Sequence, residues 1–216
     1  MVALSLKSLT GKITDEVLEQ LCRENPEAKL ETNAQGQLIV MSPTVRQSGK
    51  FNLSLSSQVW YWNSQTLLGV AFDSSTGFKL SNGAVRSPDV SWIALARWNA
   101  LTDKQKRGFA PIDPDFASQR VVGVPPIEAT DEGVIELMSP ICEAVSFRTD
   151  ELLELQQKMS EYMACGVRLG WLINPDDKQV EIYRQGQDKQ VLASPISLSG
   201  EDFLSGLTVD LAEIFA

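Results

Sequence analysis

The sequence predicts a mixed α/β domain: a central mixed β-sheet flanked by helices, with an N-terminal helix and β-hairpin ahead of it. Three observations predict it. Helical and extended patterns interleave along the chain, and helices placed between strands are the mark of a helix-covered sheet. Two segments carry apolar residues at helical spacing. One holds Phe51, Leu55, Val59 and Trp62, the other Leu152, Leu155, Met159, Tyr162 and Met163. Short apolar runs bounded by Gly, Pro, Asn and Ser, such as VSWIAL after Pro88-Asp89, read as strands.

Each element has a local cause. Thr14 can cap a first helix, with Ile13 stapled onto Leu18, and Pro26 stops it. Residues 29–33 and 37–42 form a hairpin about the Ala34-Gln35-Gly36 turn. A second helix follows Ser42-Pro43 and runs to about residue 65. Residues 69–72, 78–80 and 90–95 are strands, with Asn82-Gly83 as a turn, and 97–106 is a short helix. Residues 110–133 hold four prolines and two glycines and read as a long loop, a kind of segment that is usually functional in a compact domain. A strand at 134–138 ends at Ser139-Pro140, and a helix over 150–164 ends at Gly166. Strands at 169–173, 179–183 and 190–192 follow. A length of 216 residues suits one domain, 1–216.

Composition excludes several chemistries. The chain has no histidine, which removes Ser-His-Asp and Cys-His triads, HExxH zinc sites and histidine-base nucleases. Hydrolysis would have to run on carboxylates, lysine, tyrosine or a hard metal ion. Cys22, Cys142 and Cys165 form no CxxC pair, which argues against structural zinc and a disulfide framework. No run approaches the ~20 apolar residues of a membrane span. The first twelve residues lack an export pattern, so a cytoplasmic protein with no membrane partner is expected. The net charge is −9, yet residues 44–107 carry eight basic side chains against three acidic ones. That block is either a phosphate-facing surface or a solvated face.

Three side chains stand out as a constellation. Asp89 follows a proline at the head of a buried-type strand, Glu136 lies between Ile135 and Leu137 in another, and Lys158 lies on the helix after it. Carboxylates among apolar strand residues are costly unless paired, and a divalent cation is one remedy. Lys158 falls beside Tyr162 at the margin of the apolar stripe, from where an ammonium can reach a site between helix and sheet. The plain alternatives are a strand-end turn residue for Asp89, an exposed edge for Glu136 and a snorkelling lysine for Lys158.

Pro88-Asp89, Val134-Ile135-Glu136-Leu137 and Lys158-x-x-x-Tyr162-x-x-x-Gly166 resemble the PD-(D/E)xK nuclease superfamily. More closely, LETNAQGQLIVMSPT, FDSSTGFKLSNGAVRSPDVSWIALARWNAL, VIELMSP and LQQKMSEYMACGVRLGWLINPDDKQVEIYRQGQ resemble its putative restriction endonuclease family. The resemblance implies a restriction-endonuclease-like fold and a metal-dependent endonuclease acting on DNA. It implies Mg²⁺ or Mn²⁺ held by Asp89 and Glu136, and Lys158 as catalytic lysine. It adds Glu31 in the hairpin as an extra ligand, with an exposed hairpin glutamate as the alternative, and sets Tyr162 beside Lys158 either hydrogen-bonded or as a core aromatic. Two departures accompany it. Met138 stands where the superfamily's lysine is usual, and residues 117–133 interrupt the chain like a loop insertion beside the proposed site. Pro114-Asp115 rivals Pro88-Asp89, but a strand follows only the latter in this reading. A catalytically inactive binding or assembly module is the competing expectation. The five tryptophans allow a homodimer or an ordinary core.

Overall fold

The computed structural model describes residues 13–26, 28–41, 46–121, 127–128 and 144–216, without the side chains of 41, 46–48, 127–128 and 144–151. In chain order the first elements are α1 (Asp15–Glu24), β1 (Lys29–Thr32), β2 (Leu38–Met41), α2 (Arg46–Thr66), β3 (Gly69–Asp73), β4 (Phe78–Lys79), β5 (Val85–Arg86) and β6 (Val90–Ala94). They continue as α3 (Leu95–Asn99), α4 (Asp103–Arg107), β7 (Phe116–Arg120), β8 (Ile127–Glu128) and α5 (Ala144–Ala164). The chain then forms β9 (Leu169–Asn174), β10 (Gln179–Arg184), β11 (Gln190–Ala193), β12 (Ser197–Ser199) and β13 (Thr208–Asp210).

The main sheet has the order β11-β10-β9-β7-β6-β3. Its pairs are antiparallel except β7 with β9, so it is mixed. Side chains alternate across it. Trp92, Phe116 and Trp171 meet Phe51, Leu55, Val59 and Trp62 of α2 together with the C-terminal β12–β13 layer. Ile93, Ala117 and Leu172 meet Leu155, Met159 and Tyr162 of α5 on the other face. Gly170 permits that close approach, because a Cβ there would come within 2.5 Å of Met159 Cε. A second sheet, β4-β5-β1-β2-β8, packs on α1.

Local signals explain the boundaries. Thr14 accepts the Val17 N–H at 3.4 Å, and Ile13 packs in the small core with Leu18. Gly166, at φ 102°, ends α5 in the left-handed conformation while Val167 N–H donates to Tyr162 O at 3.0 Å.

Three expectations need correction. Residues 116–120 are not loop: they form β7, every residue of it buried, between β6 and β9. Ser118, Gln119 and Arg120 hid this strand, since polar residues in succession carry no strand pattern. The Arg120 guanidinium lies 5.3 Å from the centre of the Phe51 ring, which offsets part of its burial, whereas Ser118 Oγ is buried with no hydrogen-bond partner among the described residues. The start of the supposed insertion therefore belongs to the sheet. The single helix expected at 97–106 is two, α3 and α4, because Thr102 opens a fresh capping box with Gln105. The strands β5, β8, β12 and β13 had no counterpart in the sequence reading, β8 falling inside the segment read as loop. No helix among the described residues is long and apolar enough to cross a membrane.

Candidate active site

The site lies where the hairpin sheet meets the α5 face of the main sheet. Lys29 and Glu31 are two apart in β1 and so share a face. Glu31 is fully buried. Its Oε1 accepts from Lys158 Nζ at 2.8 Å and from Ser87 N–H at 3.0 Å, and its Oε2 from Arg86 at 3.3 Å. Burial works against the Glu31 charge most strongly, but Lys158, Lys29 and Arg86 overcome it and bring the carboxyl down to about 2. Burial also pushes the Lys158 ammonium below its ordinary value, with Glu31 opposing. Arg86 is clamped from the other side by Glu161, at 2.7 Å, and Asn82 secures Glu161 in turn.

Asp89 stands at the head of β6. Its N–H donates to Ser118 O, the residue paired with Val90, so two residues of one strand meet one of the other in the manner of a bulge. Its Oδ2 accepts the Arg120 N–H at 2.8 Å. Among the described residues its Oδ1 has the Lys29 ammonium as its one charged partner, at 3.7 Å, and the side chain is 16% exposed. Tyr162 is fully buried and its hydroxyl has no hydrogen-bond partner among the described residues; burial first, then Glu31, raises its pKa. Gln119 follows Ala117 by two positions, which turns it toward α5, and its Nε2 donates to Ser87 O at 3.5 Å.

Of the residues singled out from sequence, Glu31 and Lys158 touch each other, and Asp89 is joined to them through Lys29. Glu136 and Met138 lie outside the described residues. The rival Asp115 lies at the far end of the β6–β7 ladder, where Ala94 N–H at 2.9 Å and Arg97 at 2.7 Å engage it. Among the described residues, four of the eight basic side chains of the block are in ion pairs: Lys50 with Glu213, Lys79 with Asp15, Arg86 with Glu31 and Glu161, Arg97 with Asp115. Lys29, Glu161 and Gln119 were missed. Lys29 shares the hairpin periodicity of Glu31, and Glu161 sits three residues after Lys158 on one helix, so both had a signal. Gln119 had none.

The mixed sheet flanked by helices is an architecture shared with a solved structure. A putative nuclease belonging to DUF820 from Anabaena variabilis ATCC 29413 has the same fold, with a TM-score of 0.62 at 17% identity over 87% of this chain and 89% of that one. The chain belongs to the Uma2 family, described as putative restriction endonuclease, whose model matches residues 15–118 and 133–212. No match is found among curated proteins.

Proposed function

We propose that the chain is a metal-dependent endonuclease that hydrolyses DNA phosphodiester bonds in the cytoplasm, with Asp89 and Glu136 as cation ligands and Lys158 as catalytic lysine. The observation that carries this reading is the Asp89 carboxylate, whose Oδ1 meets no tight donor among the described residues, at a partly open position near the buried Lys158–Glu31 pair. Bound Mg²⁺ or Mn²⁺ supplies Lewis acidity toward the phosphodiester and lowers the pKa of water. The residues of the chain do the rest. Asp89 presents Oδ1 while Arg120 N–H fixes its other oxygen. Glu31 is kept out of the ligand set because three donors already hold it, and it serves to aim Lys158. The Lys158 ammonium stabilises charge on the phosphoryl oxygens as water attacks phosphorus and the bridging P–O bond breaks.

A retained fold without chemistry is the second reading, favoured by one observation: among the described residues no three metal-ligating side chains gather. Nicking of supercoiled plasmid with Mn²⁺ separates the two. Metal-dependent nicking by the parent, lost in Asp89→Ala, supports the nuclease. No nicking under any divalent cation supports the inactive module.

A homodimer is also proposed. Only Trp60 of the five tryptophans is strongly exposed, at 62%; Leu53, seven residues before it on α2, is exposed by 73%, and Leu67, just past the end of that helix, by 69%. Exposed large apolar side chains grouped in this way suit an isologous contact. Sedimentation equilibrium should find a dimer that Trp60→Glu dissociates; a monomeric parent would exclude it.

A further inference from the structure

The cluster around Glu31 consists of acid–base pairs closed against each other, save one. Lys158 is 8% exposed at its side chain and Arg86 11%, and both touch Glu31. Lys29 is different. Its side chain is 27% exposed, and among the described residues its one ion pair is with Asp89 Oδ1 at 3.7 Å, beyond hydrogen-bond reach. It therefore stands at the mouth of the site, loosely held, on the carboxylate oxygen that Arg120 N–H leaves free. It also acts inward, helping to lower both the Glu31 carboxyl and the Lys158 ammonium.

A monovalent ammonium on a long flexible stem at the free oxygen of a carboxylate is a stand-in for a cation. A divalent ion at Oδ1 would meet Lys29 as a like charge within a few ångströms, and the ammonium would have to leave. Arg86 and Lys158 hold positive charge on the Glu31 side, so like charge disfavours movement of Lys29 that way and favours movement toward solvent. A phosphodiester drawn to the ion arrives on that outward side. We propose that Lys29 is a substrate-positioning residue that exchanges partners: it neutralises Asp89 while no ion is bound, and moves to a phosphate oxygen of the nucleic acid once a divalent cation takes Oδ1. The inference rests on the assignment of Asp89 to the cation site.

The exchange has two consequences of opposite sign, which a structural lysine would not produce. Removing the competing charge should tighten metal binding without DNA, whereas removing a phosphate contact should weaken DNA binding. At about 4 Å in a water-like medium each pair of unit charges interacts by ~1 kcal/mol, so Lys29→Met should bind Mn²⁺ several-fold more tightly, up to about tenfold. For a duplex oligonucleotide in the presence of Ca²⁺, the slope of log K against log salt should fall by about 0.9, the loss of one phosphate contact. Lys29→Arg, which keeps the charge, should hold both values near those of the parent.

The test is calorimetric titration of Mn²⁺ into the parent, Lys29→Met, Lys29→Arg and Asp89→Asn, followed by salt-dependent binding of the oligonucleotide to the first three. If Lys29→Met binds Mn²⁺ no more tightly than the parent, or its salt slope is unchanged, the exchange is overturned. If Asp89→Asn binds Mn²⁺ as well as the parent, the cation-site assignment itself fails, a result distinct from the failure of Lys29.

Discussion

The two ends of the β6–β7 ladder are built alike and used differently. At one end Asp89 N–H donates to Ser118 O and the Asp89 carboxylate accepts from Arg120 N–H, two residues on. At the other, Asp115 N–H donates to Trp92 O and the Asp115 carboxylate accepts from Ala94 N–H, again two residues on. Each aspartate follows a proline, which offers no N–H where the ladder stops. Proline-aspartate is thus first a device for closing an antiparallel ladder. What separates the ends is the neighbourhood. Arg97 takes the remaining Asp115 oxygen at 2.7 Å and leaves that side chain 6% exposed. Among the described residues Asp89 meets a loose lysine there, and beside it stands the ion-pair cluster of β1, β5 and α5. The motif supplies a held carboxylate, and its surroundings decide whether an oxygen stays available.

The largest effect should come from breaking the cluster that only one end possesses. Glu31→Ala leaves Lys158 and Arg86 buried without their shared acid and should cost about 3–5 kcal/mol in urea unfolding. Adding Lys158→Met should recover part of the loss, which a double-mutant cycle would register as coupling. A loss below about 1 kcal/mol would mean that the cluster does not hold the site together.

Acid should expose the same pair. The Glu31 carboxyl is lowered in the folded chain to about 2 from an ordinary 4.5. A depressed acid stabilises the fold fully above its unfolded value, so this contribution is present above about pH 4.5 and is lost as pH falls toward 2. The difference in stability between the parent and Glu31→Gln should therefore shrink across that window. A difference independent of pH from 5 to 2 would contradict the assigned ion pair.

Next in size is a contrast between the aspartates. Asp115→Ala removes a nearly buried carboxylate bonded to Ala94 N–H and Arg97 and should cost about 1–3 kcal/mol, with Mn²⁺ binding unaltered. Asp89→Ala gives up one backbone bond at a more open position, should cost about 1 kcal/mol, and should abolish Mn²⁺ binding. Reversal of the two metal responses would make Asp115 the functional member. The smallest effect belongs to Arg97→Ala: its side chain is 43% exposed, so the loss should stay within about 1 kcal/mol in thermal unfolding.

Where the chain follows a period, the sequence was readable. The α2 stripe of Phe51, Leu55, Val59 and Trp62 is buried as its spacing required, and the hairpin pairs Glu31 with Ile39 about the expected turn. Glu31 and Lys158 were both named, but their contact spans 127 positions and no local pattern encodes it. The choice of Asp89 over Asp115 rested on the absence of a strand after Asp115, and β7 removes that reason; the environment of the two carboxylates replaces it. β7 escaped because its stability comes from the strands that pair with it on both sides, which no local pattern records. The Uma2 match breaks between residues 118 and 133, inside the segment whose start became the buried strand beside Asp89.

The most direct test of the whole account is the position of a bound cation. Crystals soaked in Mn²⁺ should show an anomalous peak within coordination distance of Asp89 Oδ1, with Lys29 displaced and Glu31 still on Lys158. A peak at Asp115 or elsewhere with none at Asp89 would contradict it.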